Sequence, residues 1–129
     1  MNCKIVLAYL DYARELSTNI DRTNKHVSLV FYKTKLLAEG TNAYKTDPKS
    51  TKIGYLFGDR HSELAAYSKI RHKINGKRLC LVNYHFNSQG KVKLAKPCDK
   101  CMPWVIEIFD DIWYTDGNGA VLQLKKWKI

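Results

Sequence analysis

His61-Ser62-Glu63 and, further along the chain, Pro97-Cys98-Asp99-Lys100-Cys101 are the stretches that decide how this sequence is read. They spell H-x-E followed by P-C-x-x-C. One neutral imidazole and two thiolates make three protein ligands for zinc, and the missing fourth leaves a coordination position for water, as in catalytic rather than structural sites. A glutamate two residues from the histidine then stands beside that water as a proton carrier. Two blander readings use the same residues, a closed structural zinc site and a chance C-x-x-C beside an unrelated histidine. Either half of the pattern is weak alone. The two halves in this order, with proline directly before the first cysteine, form a specific signal.

Working outward, Val6, Leu7, Leu10, Ala13, Leu16 and Ile20 recur at helical spacing with Asp11, Arg14 and Glu15 between them, which predicts an amphipathic first helix. Residues 26–32 are β-branched and aromatic, and 35–40 return as a hairpin partner. Turn chemistry at 46–50 and a glycine-containing entry at 54–59 lead to His61, in the first turn of a second helix. That helix buries Leu64, Ala65, Tyr67, Ser68 and Ile70 and stops at Asn75-Gly76. Residues 78–84 read as a third strand covered on both faces, with a turn at 87–90 and a brief return over 91–96. A third helix is expected over 98–109, burying Val105, Ile106 and Phe109. Pro103 should distort its first turn, because proline in a helix interior costs about 3 kcal/mol. Residues 111–115 and 120–124 are the last two strands, and Asp116-Gly117-Asn118-Gly119 between them is too short for a parallel crossover, so they pair antiparallel.

With H-x-E and P-C-x-x-C set among these elements, the chain resembles the cytidine and deoxycytidylate deaminase superfamily over residues 4–124. The resemblance implies one domain over 1–129, a three-layer α/β/α cytidine-deaminase-like fold whose five-stranded mixed sheet ends in an antiparallel hairpin of the fourth and fifth strands. The hairpin looks like small cytidine deaminases, while the histidine ligand looks like the deoxycytidylate and transfer-RNA branches. It implies one zinc per chain, held by His61, Cys98 and Cys101, and hydrolytic deamination of cytosine to uracil with release of ammonia. Zinc lowers the pKa of water toward about 7. Glu63 takes a proton from that water, hands it to the ring nitrogen and assists the departure of ammonia. Helix starts at His61 and Cys98 would favour thiolate and anionic intermediates.

The same resemblance assigns Asn42, in Gly40-Thr41-Asn42, a hydrogen bond near the substrate sugar, against a local role as a turn asparagine. The backbone N–H of Ser62 would meet the base carbonyl, and backbone groups around Pro97 and Cys98 would orient the amino group. Tyr84 and His85, at the end of the third strand, are candidates for stacking on the base and meeting phosphate. Tyr44, Tyr55, Phe57, Phe86 and Trp104 are further stacking candidates against a core role, as is Trp127 among its lysines.

At 129 residues, 45% hydrophobic and 26% charged, the chain suits one compact domain. It contains no apolar run of membrane-spanning length and no convincing signal peptide, so a cytoplasmic protein with no membrane partner is expected. Cys98 and Cys101 have metal spacing and Cys80 lies in an apolar run, so Cys3 and Cys80 are read as reduced thiols. A formal charge of +10 favours a phosphate-bearing partner, while the basic stretches at 69–78, 91–100 and 125–128 read equally as its contact surfaces and as solvated surface. The substrate classes are a free cytosine nucleotide such as deoxycytidylate and cytosine in single-stranded nucleic acid. The competing functions are an adenine or guanine deaminase and a catalytically idle, zinc-stabilised nucleic-acid-binding module. Assembly into a homo-oligomer with shared sites stays open.

Overall fold

In chain order the elements are α1 (Cys3–Ala8), α2 (Leu10–Ser17), β1 (Lys25–Tyr32), β2 (Lys35–Thr41), β3 (Ala43–Thr46), β4 (Asp59–Arg60), α3 (Ser62–Ser68), β5 (Leu79–Phe86), β6 (Val92–Lys93), α4 (Met102–Ile108), β7 (Asp111–Thr115) and β8 (Val121–Gln123). The computed structural model describes residues 3–46, 59–70, 78–98 and 101–124. The main sheet runs β2-β1-β5-β7-β8, with β6 paired to the end of β5. β1 is antiparallel to β2 and β5, β5 is parallel to β7, and β7 and β8 close the sheet as the expected antiparallel hairpin. In that hairpin turn Asp116 Oδ1 accepts the N–H groups of Asn118 and Ala120 at 2.8 and 3.0 Å, and Gly119 takes a φ of 86°.

Successive side chains of a strand point to opposite faces, and both faces of this sheet are covered. Val27, Leu29 and Phe31 of β1 join Cys80, Val82, Tyr84 and Phe86 of β5 on one face, under Val6 and Ala13 of α1 and α2. Val30, Leu79, Leu81 and Ile112 form the other face, against Leu64 and Ala66 of α3 and Val105 of α4. The result is the three-layer α/β/α arrangement with a mixed sheet. Each large side chain sealed here, such as Phe31 or Leu29, contributes about 1.5–3 kcal/mol of apolar burial.

Three expectations change in detail. The single first helix is two, broken at Tyr9, whose ring packs edge-on against Phe31 with centroids 5.0 Å apart. Leu7 is 44% exposed, and Ile20 is buried beyond the helix. The helix ends at Ser17, where Ser17 and Thr18 hydroxyls donate to the carbonyls of Arg14 and Glu15 at 2.6 and 2.7 Å. The third helix starts at Met102, not at residue 98, so Pro103 falls in its first turn, where an N–H has no intrahelical acceptor and the expected penalty does not arise. Ile106 is half-buried. Finally, β3 and β4 form a short ladder flanking a region read as turn and loop. The Asn75-Gly76 helix stop, the entry over residues 54–58 and the tail at 125–128 lie outside the described residues. Among the described residues no helix is long and apolar enough to cross a membrane.

Candidate active site

Gly40 of β2 pairs with Ser28 of β1, and Ser28 pairs with Asn83 of β5, so three small or polar residues form a row across the centre of the sheet. α3 lies directly on that row. A Cβ on Gly40 would sit 2.3 Å from the Ala66 nitrogen and 2.4 Å from the Ser62 carbonyl oxygen, so only glycine lets the helix backbone come this close. His61 caps α3 in extended conformation, φ −88° and ψ 148°, while its carbonyl accepts the Ala65 N–H at 3.0 Å. Ser62 and Glu63 in the first turn then meet the sheet. Glu63 is 6% exposed, and its Oε2 accepts from Asn83 Nδ2 at 3.2 Å while its Oε1 lies 3.2 Å from Ser62 Oγ.

The second half of the site comes from the chain entering α4. Cys98 opens a separate turn, its carbonyl accepting the N–H groups of Cys101 and Met102 at 3.0 and 2.9 Å, and Cys101 is the residue before the helix. His61 Nδ1 lies 3.6 Å from Cys101 Sγ and 3.9 Å from Cys98 Sγ, with all three ligand atoms within 4.8 Å of one another. A tetrahedral zinc with Zn–N near 2.0 Å and Zn–S near 2.3 Å places such atoms about 3.6 Å apart, so the set fits that ion. The group can hold a metal ion.

A pocket of about 460 Å³ opens against this group, with His61, Ser62, Glu63, Asn83 and Cys98 in its wall. Its other side carries Arg22, His26, Asn42, His85 and Lys96. His26 and His85 are directly opposite in the β1–β5 register, and their rings stack with centroids 4.1 Å apart. Burial, reinforced by the neighbouring His85, lowers the His26 pKa to about 4, so its ring is neutral at pH 7. His85 Nδ1 meets the Leu94 carbonyl at 2.8 Å and Nε2 meets Asn24 Oδ1 at 3.2 Å.

Solved structures share this architecture. Cytidine deaminase from Mycobacterium leprae superposes with a TM-score of 0.59 at 15% identity, covering 88% of each chain. The chain has the cytidine deaminase fold. The dCMP deaminase of cyanophage S-TIM5 gives 0.55 at 19% identity over 92% of this chain and 89% of that one. Cytidine deaminase from Burkholderia pseudomallei gives 0.56 at 15% identity over 99% and 95%. Neither a protein-family profile nor a curated protein sequence matches the chain.

On this deaminase fold, the residues singled out in the sequence separate into two groups. His61, Ser62, Glu63, Cys98, Asn42 and His85 meet at one pocket, and Cys101 completes the metal group from behind it. Asn42 is 9% exposed and its amide is engaged with the backbone, donating to the Asn24 carbonyl at 2.9 Å and accepting the His26 N–H at 2.8 Å. Pro97 is buried next to Cys98 and is not a pocket wall. Tyr84 does not reach the pocket. It points to the opposite face of β5, where its hydroxyl donates to the Val6 carbonyl at 2.6 Å and burial raises its pKa. Phe86 is fully buried there too, and Trp104 packs against Tyr67 and Phe109. Tyr55, Phe57 and Trp127 lie outside the described residues. Asn83, Ser28, His26 and Arg22 are not singled out by the sequence, and Lys96 enters only within the basic stretch 91–100. The period-2 alternation of β5 was the available signal, since Leu81, Asn83 and His85 share one face and Tyr84 takes the other.

Proposed function

We propose that this chain is a zinc-dependent hydrolase that deaminates cytosine in a phosphate-bearing substrate, giving uracil and ammonia. The observation that carries the reading is a buried glutamate, Glu63, sharing one pocket with a His-Cys-Cys group that fits tetrahedral zinc. Zinc would be held by His61, Cys98 and Cys101 and would supply the Lewis acidity that makes water nucleophilic at neutral pH. Glu63 would accept the first proton of the attacking water and deliver it to the ring nitrogen beside C4, then accept the second from the new C4 hydroxyl and pass it to the amino group, which leaves as ammonia while the C4 carbonyl forms. A single carboxylate runs this shuttle when shielded from bulk water, as Glu63 is. The Ser62 backbone N–H binds the base carbonyl, backbone groups at Pro97 and Cys98 orient the amino group, and Asn42 meets the sugar.

Arg22 and Lys96 support the phosphate. They add two cations to a wall in which Glu63 is the one carboxylate among the described residues, on a chain of net charge +10. The same charge favours single-stranded nucleic acid as the second reading, with deoxycytidylate or a related nucleotide as the first. Chromatographic measurement of uracil formation from cytidine, deoxycytidine, their monophosphates, and single-stranded DNA and RNA tests the reading. Phosphorylated substrates are expected to exceed the nucleosides at least tenfold in kcat/KM, roughly the 1.4 kcal/mol of one charge-assisted contact. Nucleosides turned over equally well would remove the phosphate from the proposal. Turnover confined to polymer, with a steep fall in added salt, would select the nucleic-acid reading.

A further inference from the structure

Glu63 is held by a buried hydrogen-bond chain that neither the metal group nor the substrate contacts require. Ser28, Ser62 and Asn83 are 0%, 2% and 4% exposed, in a layer otherwise filled by aliphatic and aromatic side chains. Ser28 Oγ donates to Asn83 Oδ1 at 2.6 Å and lies 2.7 Å from Ser62 Oγ. Ser28 has one hydroxyl proton, and giving it to Asn83 makes Ser62 the donor in the contact between the serines. Ser62 then shares its single proton between Ser28 and the 3.2 Å approach to Glu63 Oε1. Asn83 Nδ2, 3.2 Å from Oε2, is the donor that the chain directs to the carboxylate.

The orientation of the Asn83 amide follows from the same proton count. Turned over, it would place its carbonyl oxygen against a Glu63 carboxylate oxygen, two acceptors face to face. The carboxylate thus selects the amide orientation, and Ser28, donating to Oδ1, ties the amide in place against Glu63. Ser28 and Asn83 are direct cross-strand partners on two central strands, a rigid base for fixing a side chain.

We propose that Asn83 is the positioning residue for Glu63, acting through the carboxylate to hold it in one rotamer toward the pocket, with Ser28 as the lock on Asn83. This rests on the function proposed for Glu63. Asn83→Leu keeps the number and branching of the side-chain heavy atoms and removes the donor. Its kcat should fall about 100-fold with KM within twofold, the effect of a misplaced catalytic group. In a Glu63→Ala background the same substitution should change the residual rate less than twofold. Ser28→Ala, which deletes one oxygen and preserves the strand, should lower kcat about tenfold in the same pattern and serves if the leucine variant does not fold.

A role in stability alone would carry the loss into the Glu63→Ala background, and that result overturns the proposal. Urea unfolding of the metal-free wild type, Asn83→Leu, Glu63→Ala and the double variant supplies a second readout. The double variant should be more stable than the sum of the single effects predicts, because each single change strands a buried partner. Additive midpoint shifts would mean that the contact is not made. The unfolding cycle uses no substrate, so failure of the deaminase reading and failure of this proposal are separate results.

Discussion

Replacing Gly40 by alanine tests how the site is assembled. The new Cβ would lie 2.3 Å from the Ala66 nitrogen, whereas ordinary contact begins at 3.4 Å, so α3 must retreat by about 1 Å. The obstacle is helix backbone over a central sheet row, and no side-chain rotation relieves it. Overpacking of this kind costs about 1–3 kcal/mol, more than the 0.4–1 kcal/mol that alanine gains over glycine in the unfolded chain. α3 carries Glu63 and is capped by His61, while Cys98 and Cys101 stand on a separate segment, so the retreat stretches the metal group and withdraws the carboxylate. A 1 Å misplacement of a catalytic group lowers rates by about 100-fold. Urea unfolding, zinc per chain and kcat should all change together in Gly40→Ala. Gly117→Ala is the control, since a Cβ there meets nothing within 4 Å. A Gly40→Ala protein with the wild-type midpoint and rate within twofold would refute the claim that α3 rests on Gly40.

Zinc at 100 times its dissociation constant should stabilise the folded chain by about 2.7 kcal/mol, a rise in Tm on the order of 10 °C, and Cys98→Ala or Cys101→Ala should abolish that rise in thermal melts. His26 has a folded pKa of about 4 against 6.5 unfolded, so the unfolded chain binds the proton first and stability falls with acidification. About 3 kcal/mol, present above pH 6.5, should be lost by pH 4. Urea midpoints of metal-free wild type should fall further over that range than those of His26→Gln. Cys80 is buried, with its thiol pushed up to about 12 by burial and then by Asp111, while Cys3 is exposed. Alkylation of the zinc-loaded protein at pH 8, mapped by mass spectrometry, should modify Cys3 and reach Cys80 only after unfolding. Arg22→Ala and Lys96→Ala should each raise KM for phosphorylated substrates at least threefold and leave nucleoside KM unchanged in steady-state assays.

The strands, the helices and the terminal hairpin were legible because period-2 and helical patterns are local and Asp116-Gly117-Asn118-Gly119 permits no crossover, whereas the layering and the mixed sheet followed from the resemblance. Cys98, Cys101 and His61 were legible because metal ligation restricts residue type and spacing. The break at Tyr9 was not, since the apolar residues Val6, Leu10, Ala13 and Leu16 keep a helical period across it. Aromatic character points Tyr84 to a stacking role, but strand alternation sends Tyr84 away from the pocket and Asn83 toward it. Arg22 and Lys96 lie in irregular segments, and only the tertiary fold brings them to one wall.

The most direct test of the central claim is ammonia release from deoxycytidylate and the other cytosine substrates by the zinc-loaded chain, compared with Glu63→Gln at equal zinc content. The account predicts turnover of at least one cytosine substrate by the wild type and a loss of at least 100-fold in the variant, as removal of a general acid-base group produces. A wild-type protein that binds zinc stoichiometrically yet releases no ammonia from any of them, or a Glu63→Gln variant as fast as wild type, would contradict it.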